Sequence, residues 1–114
     1  MADVKWERKD GVLIAVLSGR IDSNNAGELQ NDLESGIDPG ERALILDFEQ
    51  VSYISSAGLR VCLVIARKFN EPGKEFGICT PSDPIRDVVA ISGFDQIIAI
   101  YDSQAAAVNA LKSS

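Results

Sequence analysis

The alternation of apolar and polar positions changes period several times along the chain, and each change marks an element. Val4 to Glu7 reads as a short strand, and GVLIAVLSGR, Gly11 to Arg20, as a clear one, with Lys9-Asp10-Gly11 as the turn between them. The chain therefore opens with a predicted hairpin. Behind the polar cluster Asp22 to Asn25, the residues Ala26, Leu29 and Leu33 recur at helical spacing, and Gly36 and then Pro39-Gly40 stop that helix. RALILDFEQ, Arg42 to Gln50, is a continuous apolar run of strand length, the pattern of a central strand covered on both faces. After Ser56, the residues Leu59, Cys62, Leu63, Ala66 and Phe69 share one helical face, with Val61, Val64 and Ile65 filling in, so this helix is mostly buried up to Asn70-Glu71-Pro72-Gly73. EFGICT, Glu75 to Thr80, predicts another strand. Ser82-Asp83-Pro84 offers an N-cap and a first-turn proline for a helix through Val88, Val89 and Ile91 that stops at Gly93. QIIAIY, Gln96 to Tyr101, predicts the last strand, and Ser103 caps a closing helix, Gln104 to Lys112.

A hairpin followed by alternating helices and strands argues one α/β domain over residues 1–114, with a mixed sheet of about five strands and about four helices packed mainly on one face. In such a domain the loops at one end of the sheet, including Asp22 to Asn25 and Ser55 to Gly58, converge on a surface. The length suits this, since 114 residues bury roughly two-thirds of the unfolded surface without staples.

Charge and composition narrow the chemistry. A net charge of -6 opposes binding to a nucleic-acid backbone or an anionic membrane. No segment approaches the ~18 apolar residues of a membrane span, and MADVKWERKDG lacks the apolar core of a signal peptide, which places the protein in the cytoplasm. Cys62 and Cys79 stand in apolar runs without metal or redox spacing and read as buried reduced thiols. There is no histidine, so Ser-His-Asp and Cys-His activation and His-rich metal sites are excluded, and no cofactor or metal is expected. Trp6 and Tyr53 read as strand-packing aromatics, and Asp83, Arg86 and Asp87 as a solvated helix face.

The unusual feature is VSYISSAGLRV, Val51 to Val61, in which a hydrophobic segment ends in two adjacent serines before a nearly apolar helix. A serine there is an ordinary N-cap, worth about 1 kcal/mol. That accounts for one hydroxyl, and less well for a second one followed by Gly58, since glycine in a helix sacrifices about 1 kcal/mol against alanine. A glycine is in place if something must approach the backbone closely. Nucleophilic catalysis is disfavoured, because no histidine is present and neither Gly-x-Ser-x-Gly nor Ser-x-x-Lys surrounds the pair. A phosphate acceptor fits the physics: unpaired N-H groups and partial positive charge at a helix start accommodate a dianion on Ser56 without disturbing the fold.

VSYISSAGLRV also resembles the signature of the STAS family, in particular the bacterial anti-sigma-factor antagonists, whose usual string is an apolar-Ser-aromatic-apolar segment followed by Asp-Ser-Ser/Thr/Ala-Gly-Leu-Gly. GRIDSNNAGEL resembles that family's second-strand end and the helix it introduces, LILDFEQV its central strand, and ISGFDQIIAIYDS its closing helix-to-strand segment, so the resemblance spans nearly the whole chain. It implies the STAS fold and a non-enzymatic partner switch. The phosphorylated serine falls on Ser56, with Ser55 as a competing acceptor, and the acidic residue that ends the second strand falls on Asp22. The implied partner surface comprises Asp22, Ser23, Asn25, Ser55, Ser56, Ala57, Gly58, Leu59 and Arg60, although Ser23 and Asn25 also read as helix caps and Asp22 as a turn residue. The implied partners are a serine protein kinase that is also the anti-sigma factor, and a PP2C-type phosphatase. ATP and magnesium would belong to the kinase.

In two places the chain departs from the family pattern. Ser55 stands where Asp is usual, which removes an anion beside the acceptor, and Arg60 stands where Gly is usual. Arg60 lies one turn after Ser56 and either pairs with a phosphate there or is a solvated arginine. Two other functions remain open on the sequence: a non-switching docking subunit of a larger assembly such as a lipid transporter or signalling complex, and a small-ligand or nucleotide sensor. The lack of a glycine-rich phosphate loop counts against the sensor.

Overall fold

In the computed structural model, which describes residues 3–112, the chain turns first at Asp10 and Gly11. Both have positive φ, 51° and 78°, the combination that matches the twist of a two-residue hairpin and that Asp-Gly adopts readily. This turn joins β1 (Asp3–Lys9) to β2 (Val12–Ile21) in antiparallel register, with Lys9 opposite Val12 and Asp3 opposite Ser18. The remaining elements are α1 (Ala26–Gly36), β3 (Ala43–Ile54), α2 (Ser56–Lys68), β4 (Glu75–Cys79), α3 (Asp83–Ser92), a 3-10 turn (Phe94–Gln96), β5 (Ala99–Tyr101) and α4 (Gln104–Leu111). The sheet order is β1-β2-β3-β4-β5, and every pair after the first is parallel. Parallel neighbours need crossovers, and the three helices α1, α2 and α3 supply them.

Period-two alternation sorts the strand residues between two cores. Leu13, Ala15, Leu17, Leu44, Leu46 and Phe48 face α1, α2 and α3, meeting Leu29, Leu33, Cys62, Ile65, Ile85 and Val89. On the other face Val12, Ile14, Val16, Ala43, Ile45 and Cys79 meet Ala107, Val108 and Leu111 of α4. Three helices on one face and one on the other is the expected mixed α/β arrangement, and the doubly covered strands β2 and β3 carry the apolar runs for that reason.

Two strand ends and one helix cap depart most from the sequence reading. The central strand does not end at Gln50 but continues to Ile54. Its pairing with β2 slips between Val16 and Ser18 and again between Gly19 and Arg20, so that β3 carries extra residues there and its buried positions fall at Phe48, Val51 and Ile54. Such bulges break the period of two by which a strand is recognised. The last strand is Ala99–Tyr101 rather than Gln96–Tyr101, because the N-H groups of Ile97 and Ile98 both turn back to the carbonyl of Phe94. Ser82 precedes α3 without a side-chain cap bond.

Asp47 is buried at the first bulge. Its carboxylate accepts from the Glu49 N-H at 3.0 Å and from Gln104 Nε2 at 2.8 Å, while Gln104 Oε1 accepts from Lys9 Nζ. The Gln104 amide thus ties the start of α4 to β1 and β3. Cys79 lies in the same core and Cys62 in the opposite one. Burial pushes both thiols up from the ordinary 9.0 to about 12. A raised thiol pKa favours the folded state below the unfolded value and loses that contribution as the thiol ionises. Stability is therefore expected to fall as pH rises from about 9 towards 12, and neither thiol is expected to react with a disulfide reagent at neutral pH until the domain unfolds. Titration of thiols with and without denaturant checks the second point, and fast native labelling of either cysteine would contradict it.

Candidate functional site

The parallel register of β2 and β3 decides which loops meet. Ile21 pairs with Ile54, and the Ser55 N-H donates to the Ile21 carbonyl at 2.9 Å, so Asp22 and Ser55 leave the sheet side by side. The loop after β2 is held by its own polar side chains. Asn25 Oδ1 accepts from the Asp22 N-H and its Nδ2 donates to the Arg20 carbonyl, while Asp22 Oδ1 accepts from the Asn24 N-H. Asn25 makes no side-chain cap for α1, in contrast to the sequence expectation, because its amide is used to clamp the loop to the end of β2. Ser23 is exposed and makes no cap bond either.

The two serines are separated in role. Ser55 is extended, with φ -93° and ψ 174°, and its Oγ accepts from the Gly58 N-H at 3.2 Å, so it is the N-cap of α2. Ser56 is the first helical residue and is exposed, and its hydroxyl makes no hydrogen bond to another described residue. Ser55→Ala is expected to lower stability by about 1 kcal/mol, against less than about 0.5 kcal/mol for Ser56→Ala. Urea midpoints of the two variants measure the difference, and equal losses would remove the distinction.

Gly58 and Leu59 are buried and do not lie on the surface assigned to them from sequence. A Cβ on Gly58 would come within 2.7 Å of Ile21 Cγ2 and of Ile54 Cγ1. What approaches the backbone there is the end of the sheet itself, and the glycine lets the first turn of α2 sit directly upon it. Ala57 is half-buried, and Arg60 is exposed one turn beyond Ser56 with no carboxylate partner among the described residues.

Of two further residues at this end, Arg20 was not picked out from the sequence and Tyr53 was read there as a strand-packing aromatic. Arg20 and Tyr53 are register partners, the guanidinium carbon stands 4.2 Å from the centre of the Tyr53 ring, and Arg20 Nε is 3.9 Å from Asp22 Oδ2. Tyr53 is 42% exposed, so it is not the packed strand aromatic that was expected. The signal existed in outline: counting back from Asp22 and Ser55 aligns Arg20 with Tyr53, but only once the two strand ends are known to pair. The cluster therefore places an arginine, an aromatic face, a half-exposed carboxylate and a free hydroxyl along one edge.

The model of one family, the STAS domain, matches residues 3–107. The chain belongs to the STAS domain family. BtrV of Bordetella bronchiseptica, named as a candidate anti-sigma factor antagonist, is 40% identical over 108 residues, covering 95% of this chain and 93% of BtrV. The anti-sigma F factor antagonist of Paenibacillus polymyxa is 28% identical over 109 residues, 95% of this chain and 91% of the relative. A crystal structure of an anti-sigma factor antagonist from Mycobacterium paratuberculosis superposes with a TM-score of 0.88 at 24% identity, covering 99% of this chain and 96% of that one. The fold of this STAS domain is thus shared with a solved structure. No helix among the described residues is long and apolar enough to cross a membrane.

Proposed function

We propose that this STAS domain is an anti-sigma factor antagonist that works as a phosphorylation-controlled partner switch without catalysing a reaction itself. The unmodified form binds a serine kinase that is also the anti-sigma factor, and so releases the sigma factor. Phosphorylation of Ser56 abolishes that binding, and a PP2C-type phosphatase restores it. The observation that carries the reading is the division of labour at the start of α2: Ser55 is engaged in the cap, while Ser56 stands exposed with its hydroxyl free. Modification of Ser56 leaves the cap and the core untouched, so the fold does not change and the surface does. The names borne by BtrV and the Paenibacillus relative support the same assignment.

The energetics follow from charge. A phosphate adds about -1.5 to -2 charges, and an interface built around a neutral hydroxyl has nothing to match them. Asp22 and the Ser23 and Asn25 loop stand beside this position and form the rest of the partner surface with Ala57 and Arg60. The test is intact-mass and phosphopeptide analysis of the protein from its native cells, with and without phosphatase. A single phosphatase-sensitive phosphate on Ser56 is expected. A phosphate on Ser55 instead would overturn the assignment of the acceptor, and its absence in every growth condition would favour a non-switching docking subunit.

A further inference from the structure

The exposed face of α2 differs from the rest of this acidic protein. From Ser56 to Asn70 the sequence has no Asp or Glu, although the whole chain carries 17 acidic and 11 basic residues. At about 100° per residue, Ser56, Arg60, Leu63, Val64 and Arg67 fall within an arc of about 100° opposite the buried residues Gly58, Cys62 and Ile65. Neighbouring cations are matched: Lys68 pairs with Glu34 at 3.2 Å and Lys74 with Glu71 at 3.4 Å. Arg60 and Arg67 are exposed and, among the described residues, have no carboxylate partner. Beside Arg67 the helix borders a groove of about 390 Å³, lined by Leu63, Ala66, Phe69, Phe76, Ile97 and Ile98. Ile97, at its edge, is 67% exposed.

We infer that α2 and this groove form a docking surface for an acidic amphipathic helix of a protein partner. The apolar side chains of that helix lie against Leu63, Phe76 and Ile97, and its carboxylates meet Arg60 and Arg67. The two arginines are seven residues apart, about 10 Å along the axis, which suits two carboxylates separated by two turns on a helix lying alongside. Charge favours a protein over a lipid surface, because the chain's net charge of -6 opposes an extended anionic membrane, whereas a single acidic helix meets only the local face of Arg60 and Arg67. The surface is that of the unphosphorylated domain, since a phosphate on Ser56 would lie on the same face one turn from Arg60.

The probe is a stapled helical peptide of about four turns, with leucines at i, i+3, i+4 and i+7 flanked by glutamates, alongside its isomer with lysine at every glutamate. Fluorescence anisotropy at low salt is expected to show the acidic peptide binding about tenfold or more tighter than the basic one. The double variant Arg60→Glu, Arg67→Glu is expected to reverse that preference, and Ile97→Ser to weaken the acidic peptide. If the double reversal fails to fold, Arg60→Gln with Arg67→Gln takes its place and is expected to abolish the preference. Binding is read on the unphosphorylated protein, so the result stands apart from that of the phosphorylation test, and Asp87→Asn, exposed on α3, is expected to bind the peptide like the parent. The inference is overturned if the acidic peptide shows no preference, or if the preference survives removal of both arginines. It is equally overturned if Ile97→Ser dissolves a dimer seen in sedimentation, or if phosphatidylserine vesicles bind in an Arg60- and Arg67-dependent way while the peptide does not.

Discussion

Replacing Ser56 by Asp is expected to leave the domain at least as stable as the parent while weakening its binding to the proposed serine kinase/anti-sigma factor by about a hundredfold or more, or about 2.7 kcal/mol. The two effects separate because the residue acts on different things in the two states. Within the free domain, a negative side chain in the first turn of α2 meets unpaired N-H groups and the positive end of the helix, which contributes about 0.3–1 kcal/mol in its favour. Ser55 keeps its bond to the Gly58 N-H, since the cap is made by the neighbouring residue. In the complex, the same carboxylate sits where the surface offers a small neutral hydroxyl, and it must give up its hydration without a matched cation. The phosphorylated protein should show a larger loss, because its charge is greater. Urea denaturation and titration calorimetry with the purified kinase test both halves. Binding within twofold of the parent would refute the switch at Ser56, and an equal loss from Ser55→Asp with Ser56→Asp silent would move the acceptor.

Gly58→Val is expected to destabilise the domain by about 2 kcal/mol. The reason is space. The added Cβ would lie within 2.7 Å of side-chain carbons of both Ile21 and Ile54, near the stems of those residues rather than at flexible tips. Both isoleucines are buried, so α2 must lift or the sheet end must move. Gly58→Ala provides the control on helix propensity. In a helix with room to spare, alanine would stabilise by about 1 kcal/mol over glycine. Here the clash is expected to cancel that gain, leaving alanine neutral or destabilising, with valine clearly worse. Urea midpoints measured for the three proteins decide it, and a stabilised Gly58→Ala would show that α2 is not seated on the sheet as described. The prediction bears on function too, since the same contact sets where Ser55, Ser56 and Arg60 stand relative to the Asp22 loop.

Much of this protein is determined locally. The Asp-Gly hairpin turn, the apolar runs of β2 and β3, the helical spacing of Leu29 and Leu33, and the serine pair before Ala57-Gly58 are each legible within about a dozen residues. They follow from backbone sterics and from the periods of strand and helix. The family string is local as well, and so the candidate site could be assigned to the start of α2 from the sequence alone. What tertiary structure decided is whatever depends on pairing between distant segments. The bulges that carry β3 on to Ile54 arise from its register with β2 and leave no regular period to read. Register also stacks Arg20 on Tyr53 and turns that tyrosine outward. Gly58 could be noticed in the sequence, but the sequence does not say whether a ligand or the protein itself fills the space beside it; Ile21 and Ile54 do so only once two strands end together under one helix. The Arg60 to Arg67 face is the same case. Helical spacing aligns those arginines, and only the fold shows that neither pairs with a carboxylate among the described residues.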